Sequence, residues 1–140
     1  MPYLNSDDEF PEHPKVDALS DGAFRLHVSG MHYCAKHLTD GTIPAGRVDR
    51  LKPGYKPAQL KELLKGKLWH LGGQGCGTEH CPTGGPGEYV VHDYLQWNKP
   101  AAWWEARRKA EADRKAAYRA KVAADKERGR TDRPKGLRSA

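Results

Sequence analysis

No stretch of this 140-residue chain approaches the roughly eighteen consecutive apolar residues that a membrane-crossing helix needs, so no membrane span is expected. Cysteine is scarce and odd in number at three, which argues against a secreted disulfide framework. Phenylalanine and methionine occur twice each. Apolar residues make up 37% of the chain against 30% charged, and mean hydropathy is −0.87. A chain this polar cannot wrap every position around one core, so a domain of about 75 to 95 residues with solvated ends is expected. The opening stretch MPYLNSDDEFPEHPK is acidic and proline-bearing, the opposite of a secretory leader, and points to a cytoplasmic protein. There is no GxxxxGK[ST] phosphate loop, and no nucleophile motif accompanies the neighbouring His92 and Asp93, so the sequence does not read as an enzyme. His92 and Asp93 read instead as backbone-bonding residues at the end of a strand.

What the chain does have is charge sorted by position. Residues 1–21 carry six acids against Lys15, net −5. Residues 22–98 hold nine Lys/Arg against six acids, net +3, and residues 99–140 hold fourteen against six, net +8. A basic arm behind a mildly basic domain suits contact with polyanions, and a solvated tail is the plain alternative.

Residues 1–18, with Pro2, Pro11 and Pro14 and no periodicity, read as an acidic irregular lead-in. Ser20 is a natural helix cap, and the apolar positions from Ala23 to Leu38 follow a helical stripe through about residue 37. Asp40-Gly41 signals a turn, Thr42-Ile43 a very short strand, and AGRVDRL over 45–51 a short helix. Pro57 suits the first turn of a further helix, PAQLKELLKGK, with Leu60, Leu63 and Leu64 inward. LWHLG (68–72) and EYVVH (88–92) read as a hairpin with a long tip. From Ala101 to about Arg128 the Ala/Glu/Lys/Arg composition predicts a charged helix, and 129–140 a disordered tail. The fold class expected is therefore α+β: a winged helix-turn-helix over 19–98, with three helices and a β-hairpin wing, followed over 99–128 by a long basic C-terminal helix.

The stretches SDGAFRLHVSGMHYCAKHLTDGTIP, LLKGKLWH and YVVHDYLQWN resemble a family of small helix-turn-helix proteins from actinobacterial phages and prophages. The shared pieces map to Ser20–Leu26, Leu38–Pro44, Gly66–Trp69 and His92–Leu95, and the likeness spans residues 14–100. Asn98-Lys99-Pro100 departs from the family's direct Asn-Pro. The resemblance implies DNA binding in transcription regulation or replication initiation.

On that reading, Gln59, Lys61, Glu62 and Lys65 of the third helix supply base contacts, and Arg47, Arg50, Lys52 and Lys56 hold phosphates. Arg107, Arg108, Arg114 and Lys115 of the arm add phosphate contacts, or the arm pairs with a second copy as a homodimer. The alternative is a protein-interaction adaptor, such as a replisome loader or an inhibitor of a host enzyme, whose partner is a host or phage replication or transcription protein. The hairpin tip GCGTEHCPTGGPG raises a separate question, because a structural zinc ion needs four Cys/His ligands. Cys76, His80 and Cys81 lie within six residues, and His70 or His92 on the flanking strands can supply another. Adjacent His80 and Cys81 strain a shared ion, which favours His70, Cys76, Cys81 and one residue from elsewhere, with His80 as substitute. A flexible tip with two free thiols is the other reading, and Cys34 looks like a core residue.

Overall fold

The computed structural model describes residues 2–131. Among them the order is a 3₁₀ turn at Phe10–Glu12, α1 (Pro14–Asp17), α2 (Asp21–His37), β1 (Thr42–Pro44), a 3₁₀ turn at Ala45–Arg47, α3 (Val48–Leu51), α4 (Pro57–Lys65), β2 (Trp69–Leu71), β3 (Glu88–Val91), α5 (Tyr94–Trp97) and α6 (Ala101–Thr131). This is a mixed α+β arrangement with one small antiparallel sheet, ordered β1-β3-β2, and a long C-terminal helix. The chain divides into two compact units between Ala101 and Ala102. The helix expected to end near Arg128 continues to Thr131, and the rest of the expected tail lies outside the described residues. No helix among the described residues is long and apolar enough to cross a membrane.

Local chemistry explains where the elements begin and end. The Ser20 hydroxyl accepts from the Ala23 amide at 3.3 Å and satisfies a free donor of α2's first turn. Leu38 ends that helix in the left-handed region, φ 52°, and its amide bonds back to the Cys34 carbonyl. Helix α4 starts at Pro57, whose missing N–H costs nothing there. The Gln59 side chain turns back to accept from the Lys56 amide at 3.0 Å.

The core is built where α2, α4 and the sheet meet. Trp69, Leu26, Ile43 and Leu63 are fully buried, with Cys34 and Val48 beside them. Trp69 Nε1–H donates to His27 Nδ1 at 2.9 Å, so the buried imidazole must be neutral at that nitrogen. Gly30 lets α2 approach: a Cβ there would overlap the Trp69 ring and lie 3.0 Å from Ile43 Cδ1. Gly30→Ala should therefore destabilise by about 1–3 kcal/mol from overpacking, less the roughly 1 kcal/mol of helix propensity that alanine returns. Urea unfolding followed by circular dichroism measures the difference.

The lead-in departs from the irregular segment expected. Val16 is buried, and Phe10 packs at 6.1 Å from Phe24 and 5.7 Å from His27, centroid to centroid. The Asn5 amide donates to Asn98 Oδ1 at 2.8 Å. A few apolar side chains without periodicity are enough to dock it, which a periodicity criterion does not detect.

Candidate metal centre

Strand register places the first two ligands. β2 and β3 pair antiparallel with Trp69 opposite Val91 and His70 opposite Val90, and the His92 amide extends the ladder to the Leu68 carbonyl at 2.8 Å. Side chains alternate along a strand, so His70, Val90 and His92 share one face, with the two imidazoles diagonal to each other. Their ring centroids lie 6.0 Å apart.

The tip then folds back over that face. The Gly73 amide bonds to the Thr83 carbonyl at 2.9 Å and narrows the mouth of the loop. At Gly72 the two arms come so close that a Cβ would overlap the Gly85 carbonyl oxygen, so only glycine fits. A turn closed by the Cys81 amide on the Thr78 carbonyl, at 3.2 Å, returns Cys81 toward the strands.

Four donors converge as a result. One ligand atom from each of His70, Cys76, Cys81 and His92 lies within 4.8 Å of every other. His92 Nδ1 is 3.5 Å from Cys76 Sγ and 3.6 Å from Cys81 Sγ, while His70 Nε2 is 2.7 Å from Cys81 Sγ. Zinc bonds of about 2.3 Å to sulfur and about 2.0 Å to nitrogen give a tetrahedral S···N edge of about 3.5 Å. Two of the three separations already match that edge, and the third has to open by about 0.8 Å around an ion.

The second nitrogen of each imidazole is also provided for. His92 Nε2 lies 3.1 Å from Asp93 Oδ2, and His70 Nδ1 faces the Leu71 carbonyl at 3.5 Å. A carboxylate or carbonyl behind the ring fixes the tautomer that leaves the other nitrogen's lone pair for a metal. Asp93 holds this position with φ 54°, a left-handed conformation uncommon outside glycine. The Thr78 hydroxyl, 3.3 Å from Cys76 Sγ, holds that thiol below its ordinary pKa. Burial pushes Cys81 up to about 11, so a metal would displace a proton from it on binding.

The expected ligand set is corrected at one position. His80 is exposed and outside the cluster, because it precedes Cys81 in the turn and its side chain does not follow the cysteine inward. Its backbone carbonyl accepts from the Leu95 amide at 3.3 Å instead. His92, offered from the sequence both as a backbone-bonding residue and as a flanking-strand ligand, takes the fourth place for which His80 was the substitute. Cys34 is fully buried in α2, apart from the cluster.

The residues expected to meet DNA are also divided by the structure. Lys61 and Lys65 are exposed on α4, opposite the buried Leu63. Gln59 and Glu62 are engaged within the protein. Besides capping its own helix, Gln59 lies against Gly22. Glu62 accepts from the Ser20 amide at 3.0 Å and from its hydroxyl at 2.6 Å, which lowers its pKa. Positions 59 and 62 are three apart and face the start of α2, whereas 61 and 65 face away.

Arg50 and Lys56 are exposed, Lys52 is half-buried, and the half-buried Arg47 stands 5.8 Å over the Tyr33 ring. In the arm, Arg108 is exposed, Arg107 lies 5.2 Å over the Trp103 ring, and Arg114 and Lys115 reach Glu111 at 2.7 Å and 3.9 Å. No family model, curated protein or solved structure matches the chain.

Proposed function

We propose that the protein is a duplex DNA-binding module of winged helix-turn-helix type, with α4 as the reading helix and its hairpin held by a structural zinc ion. The observation that carries the DNA reading is the two-sidedness of α4: Leu63 is fully buried while Lys61 and Lys65 stand exposed. Arg50, Lys52 and Lys56, on the segment leading into the helix, surround it with positive charge suited to flanking phosphates. The arm's Arg107, Arg108, Arg114 and Lys115 offer further phosphate contacts of their own. With Gln59 and Glu62 engaged elsewhere, the lysines take the greater part of the contact. The phage and prophage resemblance points the same way and to a role in transcription regulation or replication initiation.

The hairpin differs from a phosphate-tracking wing. Between Leu68 and His92 there is no lysine or arginine, and Glu79 and Glu88 are the charged residues. Its task in this reading is structural, with zinc closed off by four protein ligands and no position left for substrate. That cation-free tip and the exposed Leu71 also favour the second reading, an adaptor that docks a protein on the hairpin.

Salt-titrated binding to duplex DNA separates the two readings. Replacing Lys61 and Lys65 together with alanine should weaken duplex binding about tenfold at moderate salt and reduce the slope of log K against log salt by about 2. Unchanged affinity and slope, with circular dichroism unaltered, would reject α4 as the reader and leave the adaptor.

A further inference from the structure

Helix α6 sorts its residues onto two faces. At 3.6 residues per turn, Ala106, Ala110, Ala117, Ala120 and Ala124 fall together on one side. The opposite side carries Tyr118 and Val122, which are 66% and 47% exposed. Six lysines and arginines share that side with three acids, Glu105, Glu111 and Asp125. Trp104 falls on it as well. Around Tyr118 the cations are close at hand: Arg114 and Lys115 stand one turn before it, Lys121 one turn after, and a shallow recess is bounded by Arg114, Lys115, Tyr118 and Arg119.

Aromatic and cationic groups on one face restrict what that face can meet. A membrane-surface helix separates its apolar side from its basic side, and here the two coincide. A second copy of the same face would oppose like charges. Duplex DNA offers phosphates to the cations but keeps its bases stacked, so an exposed phenol gains little from it. A single strand offers both chemistries at once: phosphates for the lysines and arginines, and open base faces for the aromatic ring.

We propose that α6 binds single-stranded nucleic acid, with the backbone running along the cations and a base stacked on Tyr118. This surface does not involve α4; it shares the arm's cations with the duplex reading above, and Tyr118 is what sets the two apart. Deoxyribose and ribose strands present the same phosphate and base-face chemistry, and the test compares them.

The full chain is titrated into fluorescently labelled oligo(dT) and oligo(rU) of about fifteen nucleotides, and into a duplex of similar length. Binding of either strand, weakened about tenfold by Tyr118→Ala and kept within about twofold by Tyr118→Phe, is the expected result. Duplex binding should change less than about twofold in both variants. Alanine is a better helix former than tyrosine, so the variant keeps α6 intact. Equal loss on strand and duplex would overturn the proposal by reducing the arm to a phosphate contact. So would unchanged strand binding in Tyr118→Ala, or binding to vesicles containing anionic lipid without binding to either oligonucleotide.

Discussion

Replacing Cys81 with serine is expected to take the protein from about one zinc ion per chain to none, when purified without chelator and measured by atomic emission. Cys81 lies near both histidines, 2.7 Å from His70 Nε2 and 3.6 Å from His92 Nδ1, so no other residue of the set can replace it. His92→Ala should do the same, while His80→Ala should retain the ion, since His80 lies outside the cluster. A chain that keeps its zinc without His92, or loses it without His80, refutes the ligand set. Structural zinc contributes about 10–16 kcal/mol in isolated finger peptides, which are unfolded without it. Here the core around Trp69, Leu26 and Leu63 includes none of the four ligands, and Trp69 projects from the opposite face of β2 to His70, so the loss should be local. Amide exchange should accelerate over residues 72–87, a segment with no buried side chain, and much less in α2.

The second large effect concerns acid. His27 is 3% exposed, and burial lowers its pKa from 6.5 to about 4. Between those two values the unfolded chain binds a proton on this imidazole and the folded chain does not. Stability is therefore complete above pH 6.5, falls as pH drops from about 6.5 toward about 4, and levels off below that for this group. At about 1.4 kcal/mol per pKa unit the full loss is about 3 kcal/mol. The bond from Trp69 gives the structural reason: Nδ1 accepts the indole N–H, so a proton on Nδ1 breaks it. Urea unfolding across this range, done with Cys81→Ser so that metal release adds nothing, should show the decline. A His27→Phe version of that chain should show a flatter profile, and parallel profiles would reject His27 as the acid-sensitive group.

Much of the fold was legible because it rests on local rules. Ser20 as a cap, Pro57 at a first turn and the leucine spacing of α4 each mark an element through chemistry confined to a few residues. The hairpin was legible in the same way, from two β-compatible runs separated by turn formers. Ligand identity was harder, because it depends on strand register and on which side of a turn each residue projects. His80 is nearer to Cys81 in sequence, but His92 shares a face with His70 through the pairing of β2 and β3. Alternation along the two strands was the available signal, since His92 closes the EYVVH run already read as a strand, but it does not say which way the tip turns His80. Gln59 and Glu62 misled for a related reason. A polar residue on a short helix reads as solvent-facing until the neighbouring helix start, here Ser20 and Gly22, is known to lie against it.

The pinch at Gly72 has a consequence for how such a chain can vary. Backbone contacts at the neck, not the length of the tip, fix the point where the two arms part, and the register of β2 on β3 is set below it. Residues can therefore be gained or lost between the Thr78–Cys81 turn and the neck without shifting the sheet, provided the turn still delivers its cysteine. A side chain at position 72 would instead wedge the arms apart and draw the cysteines away from the histidines, although every ligand remained in the sequence.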